Sequence, residues 1–265
     1  MKYVLITGGA SGMGRATALK LSKEGYYVFS CDINKNIEET ENIEQIIMDV
    51  TDIDSIKNAY DKISKITSTL EAIINFAGII MMNSLIEIDE RQYRKIFDVN
   101  VLGAYYVNKV FFEMIYKNKG KIIITTSELA GNKILPFNAI YSISKKSLDA
   151  YAQGLTMELA FLDIPVITIR PGSIKTPLLD DSSKEMETLN NNTIYYKNTI
   201  NKFKHIVDKE QGSGVEPEKI ANLVYKILNK KKPKHIYSFN SSLKLKLLSI
   251  LPSKLQVKIF KWILK

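Results

Sequence analysis

Tyr141 and Lys145, four residues apart in Tyr-Ser-Ile-Ser-Lys, are the side chains in this chain best suited to moving a proton. On a helix that spacing puts both on one face. A free phenol titrates near about 10, and a neighbouring ammonium favours its ionised form and draws the pKa toward neutrality. Such a phenol can take a proton from an alcohol or return one to a carbonyl. The spacing is common on helices, so its meaning depends on what precedes it.

What precedes it begins at the amino end. Lys2 to Thr7 is an apolar, β-favouring run that passes directly into Gly8-Gly-Ala-Ser11-Gly12-Met13-Gly14. This reads as strand, tight turn and helix N-terminus. The unpaired N–H groups and positive dipole end of that helix make an anion site, and the glycines let a phosphate come close. A P-loop is excluded, because Arg15 and Ala16 stand where lysine and a metal-binding hydroxyl are needed; GxGxxG fails at Thr17. Asp32 closes the second strand, eighteen residues after Gly14. A carboxylate there accepts from ribose hydroxyls and repels a 2′-phosphate. With Ile33 and Asn34 beside it and no base, NAD is favoured over NADP.

Taken in order, Thr7-Gly8-xxx-Gly12-x-Gly14, Asn75-Phe-Ala77-Gly78, Asp98-Val-Asn100 and Tyr141-xxx-Lys145 resemble the short-chain dehydrogenase/reductase family over roughly residues 2 to 178. The resemblance implies a catalytic tetrad. Asn100 would hold a water chain to Lys145, Lys145 would bind ribose hydroxyls and tune the phenol, Tyr141 would be the acid/base, and a serine would orient the substrate oxygen. It further implies that Gly8, Ser11, Gly12, Met13 and Gly14 hold the pyrophosphate and Asp32 the ribose. Asp49 and Val50 would line the adenine pocket, Asn75, Ala77 and Gly78 the next strand end. In Arg170-Pro171-Gly172-Ser-Ile174-Lys-Thr176, the Ile174 backbone and the Thr176 hydroxyl would meet the nicotinamide carboxamide.

The serine departs from the family pattern. Thirteen residues before Tyr141, the family's usual interval, stands Glu128; seven residues after Gly120, along the strand, stands Ser127. A strand fixes its terminal side chain by period-two geometry, whereas a loop absorbs an extra residue, so Ser127 is preferred. If Glu128 faced the substrate, its charge would oppose alkoxide formation. The competing function is then a dinucleotide sensor that has lost turnover.

Positioning these residues requires alternating strands and helices. Strands are expected at Tyr27–Asp32, Glu44–Met48, Ala72–Asn75, Lys121–Thr126, Val166–Arg170 and Ile236–Phe239. Helices are expected at Asp52–Ser64, Gln92–Tyr116, Ser142–Leu162 and Pro217–Lys230. That pattern gives an α/β, doubly wound Rossmann fold with a parallel seven-stranded sheet, helices on both faces and ligands beyond the strand carboxyl ends. Residues 1–240 are read as one NAD-binding unit, with 178–214 a polar, mobile substrate insertion. Its Leu179, Met186, Leu189, Ile194, Tyr195, Tyr196, Ile200 and Phe203 either line an apolar pocket or pack the insertion down. Residues 241–265 form a basic amphipathic extension.

Composition narrows the classes. With 265 residues and 45% hydrophobic side chains, one large core is expected. The single cysteine, Cys31, rules out an internal disulfide and fits a reducing cytoplasm, and His205 and His235 are too few for a metal hydrolase. No metal site and no secretory leader are expected; the longest uncharged apolar run, Ala72 to Ile86, is too short to span a bilayer. From Lys226 to Lys265 there are eleven lysines and no acid, which leaves residues 1–225 with about two net negative charges. Lysines 254, 258, 261 and 265 make one stripe and Leu255, Ile259, Trp262 and Ile263 another. This suits a helix docked on the body or one lying on anionic lipid, where each lysine contributes about 1 kcal/mol. The tail is similar to that of steroid- and retinol-type family members, which implies a bulky apolar alcohol or carbonyl substrate. Nucleic acid is not an expected partner, since the lysines lack an aromatic stacking platform. The resemblance also implies a homodimer or homotetramer paired through the two long helices.

Overall fold

The computed structural model describes residues 1–35, 40–131, 134–211 and 214–264, with side chains outside 205–211. His205 as a side chain and Lys265 lie outside the described residues. Seven parallel strands form one sheet: β1 (Lys2–Thr7), β2 (Tyr26–Asp32), β3 (Ile43–Ile47), β4 (Ala72–Asn75), β5 (Lys121–Thr125), β6 (Val166–Pro171) and β7 (Ile236–Phe239), in the order β3-β2-β1-β4-β5-β6-β7. The order reverses between β1 and β4, which pair from Val4–Ala72 to Thr7–Asn75. Their carboxyl ends therefore part to leave a crevice.

Two cores cover the two faces of the sheet. On one, α1 (Gly12–Lys23) and α10 (Glu218–Leu228) pack Ala18, Leu21, Ile220, Val224 and Ile227 against Val4, Ile6, Val28 and Ile74. On the other, α2 (Ile53–Ser64) and the helices of residues 90–118 and 139–160 bury Ile56, Val107, Phe111, Ile115, Leu148 and Ala152 against Leu5, Phe29, Ile73 and Ile122. The central strands are buried on both sides, which is why Val-Leu-Ile and Ile-Ile-Ile runs occur without polar alternation.

The helix expected at Gln92–Tyr116 is interrupted. It comprises α3 (Glu90–Phe97), a π-helical turn (Asp98–Leu102), α4 (Gly103–Val110) and, after a break at Phe111, α5 (Phe112–Asn118). The wider turn carries Asn100 inward. A short α6 (Glu128–Gly131) follows β5, and α7 (Ala139–Ala160) starts three residues earlier than expected, so Tyr141 lies in its first turn.

Residues 178–214 are not an irregular insertion. They carry most of α8 (Pro177–Asn192) and α9 (Lys197–Gln211). Met186 and Leu189 on one helix, and Ile200 and Phe203 on the other, meet Met82 and Phe137 in a separate buried cluster. The three-residue spacing of these apolar pairs is helical, and the polar residues between them take the outer face. Ile194 and Tyr195 are instead exposed, in the turn between the helices. Glu87 fastens that turn: its carboxylate accepts from the N–H groups of Ile194 (2.7 Å) and Tyr195 (3.1 Å) and from the Thr193 hydroxyl (2.9 Å). The tail folds as α11 (Leu243–Ile250) and α12 (Ser253–Leu264).

Candidate active site

The crevice beyond β1, β2 and β4 encloses about 660 Å³. Gly8, Ser11, Gly12, Met13 and Gly14 form its floor, Asp32, Asp49 and Val50 one end, and Ala77, Gly78 and Thr176 line it as well. Gly14 must be glycine: a Cβ there would run into the Gly8 carbonyl, so the turn could not close under the first N–H groups of α1. Asp32 is already oriented, with one oxygen accepting from the Ala10 N–H (3.0 Å) and the other from Asn34 (3.2 Å). The Asp49 carboxylate accepts from the Thr51 N–H and hydroxyl at 2.8 and 2.7 Å. A cradle closed by glycines, a helix N-terminus and a ribose-facing carboxylate fits a dinucleotide. Thr176 caps the approach to α8, its hydroxyl donating to the Ile174 carbonyl at 3.4 Å and its methyl group beside Gly12.

Some candidates lie elsewhere. Asn75 does not present its side chain to the crevice: the amide donates to Asn108 Oδ1 (3.0 Å) and to the Ile123 carbonyl (3.3 Å), bracing β4 against β5 and α4. Its alternation along β4 turns the side chain into the interior, and Phe76 lines the crevice instead. Pro171 is buried at the end of β6, Gly172 N–H donates to Phe239, and Ile174 bridges Val215; these three shape the loop behind the crevice without lining it.

Tyr141, Ser127 and Lys145 converge behind Gly78. The Ser127 hydroxyl is close enough to the Tyr141 phenol to oppose the upward shift of its pKa, and it accepts from the Leu129 N–H at 3.2 Å. Lys145 Nζ sits 5.9 Å from the centre of the Tyr141 ring and donates to the Thr125 carbonyl at 3.4 Å. A Cβ on Gly78 would lie 3.1 Å from both Lys145 Nζ and Asn100 Oδ1, so glycine lets the chain pass close to the buried ammonium. The Asn100 side chain is used within the protein, donating to the Ile79 carbonyl and Ser144 Oγ, both at 3.0 Å, and accepting from Ile79 N–H at 2.8 Å. It clamps the Gly78–Ile79 segment to α7.

Glu128 does not point at Tyr141. Its carboxylate accepts from the Ser242 N–H at 2.7 Å, at the start of α11. Burial pushes the Tyr141 phenol up to about 12, Ser127 acting against it, and brings Lys145 down to about 8. The sequence-based expectation of a phenol drawn toward neutrality by its lysine is therefore reversed in the protein alone, because desolvation outweighs the opposing effect of Ser127.

Several site residues carried no recognised signal. Asp149 pairs with Arg170 at 2.6 and 2.8 Å and accepts from Thr126 at 3.2 Å, locking α7 to the ends of β5 and β6. It stands four residues beyond Lys145, so the spacing that exposed the Tyr–Lys pair also pointed to it. Arg91, Lys95 and Asp181 line the crevice mouth from α3 and α8. Leu245 of α11 packs on the cluster of Met81, Ile96, Leu129, Ile140 and Tyr141, so the tail adjoins the apolar group that holds the tyrosine.

The short chain dehydrogenase family model matches residues 2–187. A 3-ketodihydrosphingosine reductase of Bacteroides thetaiotaomicron is 26% identical over 232 residues, 88% of this chain and 85% of the relative. An NADPH-dependent 1-acyldihydroxyacetone phosphate reductase of Schizosaccharomyces pombe is 33% identical over 207 residues, 74% of this chain and 68% of the relative. The solved 3-ketoacyl-(acyl-carrier-protein) reductase of Brucella melitensis complexed with NADH superposes with a TM-score of 0.74 at 19% identity, over 90% of this chain and 96% of that one. This protein belongs to the short chain dehydrogenase family and is an NAD(P)-dependent oxidoreductase acting on CH–OH groups.

Proposed function

We propose that the protein interconverts an alcohol and a carbonyl on a bulky apolar substrate, with NAD(H) as the preferred carrier and Tyr141 as the acid/base. The observation that carries this reading is the convergence of Tyr141 and Lys145, with the ammonium 5.9 Å from the centre of the ring and Ser127 acting on the phenol. A bound nicotinamide supplies or accepts the hydride. Ser127 orients the substrate oxygen at the phenol, and Tyr141 passes a proton to that oxygen or takes one from it. Lys145 holds the ribose hydroxyls and Asn100 keeps the segment under the lysine in place. Gly8, Ser11, Gly12, Met13 and Gly14 seat the pyrophosphate, and Asp32 disfavours a 2′-phosphate. One relative is named NADPH-dependent and another structure holds NADH, so Asp32 is what argues for NAD here.

Two features support an apolar, lipid-like substrate. Tyr141 belongs to an apolar cluster with Met81, Ile96, Leu129 and Ile140, against which Leu245 packs, and two relatives are named for a ketosphingoid and an acyl-bearing ketone. We read residues 1–240 as the catalytic unit and 241–265 as its extension. The test follows NADH and NADPH absorbance with long-chain ketones, oxoacyl thioesters, steroids and retinoids. Turnover with an apolar ketone, faster with NADH and abolished in Tyr141→Phe, is expected. Dinucleotide binding without turnover of any of these would favour a sensor.

A further inference from the structure

The tail helices fill their inner faces and leave their outer faces apolar. On α11, Leu245 packs on the cluster that includes Tyr141, while Leu243, Leu247 and Ile250, spaced at four and three residues, are 70, 58 and 78% exposed. On α12, Phe260 and Leu264 pack against Met186, Leu189, Ile200 and Phe203 of α8 and α9, and Trp262 on the outside is 84% exposed. Lys254, Lys258 and Lys261 share that outer face with Trp262 and Leu255. A helix packed only on its own protein has no use for these leucines and the tryptophan in water. The cationic setting selects the partner, because α11 and α12 carry Lys244, Lys246, Lys254, Lys258 and Lys261 and no acid. Two copies of this face would repel each other. An anionic bilayer meets both demands, taking the apolar side chains at the headgroup boundary and the lysines at the phosphates. Among the described residues no helix is long and apolar enough to cross a membrane, so contact is from the surface.

We infer that α11 and α12 dock the protein on an anionic lipid surface and set the edge formed by α8 and α9 against it, so that an amphiphilic substrate passes from the bilayer to Tyr141. The delivery step rests on the proposed oxidoreductase reading; the docking step does not. Two contacts couple the tail to the site: Glu128 with the Ser242 N–H, and Leu245 with the Tyr141 cluster.

Trp262 is the only tryptophan in the chain, so its emission reports the docked face directly. The full chain is mixed with phosphatidylglycerol–phosphatidylcholine vesicles and with pure phosphatidylcholine vesicles. Co-sedimentation and a blue shift with the anionic vesicles only, both weakened by salt, are expected. The triple variant Lys254→Gln, Lys258→Gln, Lys261→Gln should partition about a hundredfold less while turning over a short soluble ketone at the parent rate. Unshifted Trp262 emission with the protein left in the supernatant would overturn the docking. So would dissociation of an oligomer by Leu247→Glu without any vesicle effect, which would make the face a contact between copies. Vesicle binding with no turnover would leave docking intact and remove the oxidoreductase reading and delivery with it.

Discussion

At the scale of single residues, Ser127 and Glu128 divide two tasks that one chain position usually tempts a reader to merge. The serine hydroxyl reaches the phenol, and the neighbouring carboxylate reaches forward to the tail. Ser127→Ala is expected to cut turnover by orders of magnitude with dinucleotide affinity unchanged in a calorimetric titration. Glu128→Gln, whose amide oxygen still accepts from Ser242, should keep turnover within about threefold; loss of turnover in this variant alone would reverse the roles. Lys145 gives a second prediction. Its pKa falls from the ordinary lysine value of 10.5 to about 8, so between those values the unfolded chain binds the extra proton. Stability of the dinucleotide-free protein must then rise with pH above about 8, until the Tyr141 phenol, raised from 10.0 to about 12, reverses the slope above about pH 10. Urea denaturation from pH 7 to 10 measures this, and Lys145→Met should flatten the rise.

At the scale of elements, the helices α8 and α9, the first of which borders the crevice at Pro177, Leu178 and Asp181, are held by one carboxylate and one ring. Burial works against the Glu87 charge, yet bonds from Ile194, Thr193 and Tyr195 hold its pKa below the usual glutamate value. Their contribution is present above the unfolded pKa and is lost as pH falls through the lower folded one. Phe137 packs edge-on against Tyr196 and Phe203 at 5.3 and 5.6 Å between ring centres. Glu87→Ala should therefore raise KM for the apolar substrate several-fold with little change in kcat, and should increase amide exchange in residues 193–203 first. An unchanged KM would mean that these helices do not bound the substrate site. The π-helical turn acts similarly on the other wall, since it turns Asn100 onto Ile79 and Ser144 and so fixes Gly78 beside the lysine.

At the scale of the whole molecule, the face of α4 and α7 remote from the crevice exposes Tyr105, Met157 and Phe161, the last at 89%. An apolar surface on these two helices suits pairing with a second copy. Phe161→Glu should shift the protein toward monomer in sedimentation velocity, with dinucleotide binding retained; an unchanged sedimentation coefficient would assign pairing elsewhere. The net positive charge lies toward the carboxyl end, where residues 226–265 hold eleven lysines and no acid, and residues 1–225 are slightly negative.

The sequence by itself determined the parallel sheet, the glycine turn at the end of β1, Asp32 at the end of β2 and the Tyr141–Lys145 face. Each of these is set by local rules: strand and helix periods, the backbone freedom of glycine, and side chains three or four residues apart. Only the tertiary structure decided that Asn75 turns into the core, that Glu128 reaches Ser242, that α8 and α9 pack on Phe137, and that Leu245 joins the cluster around Tyr141. It also decided the sign of the Tyr141 shift, because desolvation depends on how many distant elements close around a group, and no spacing along the chain records that.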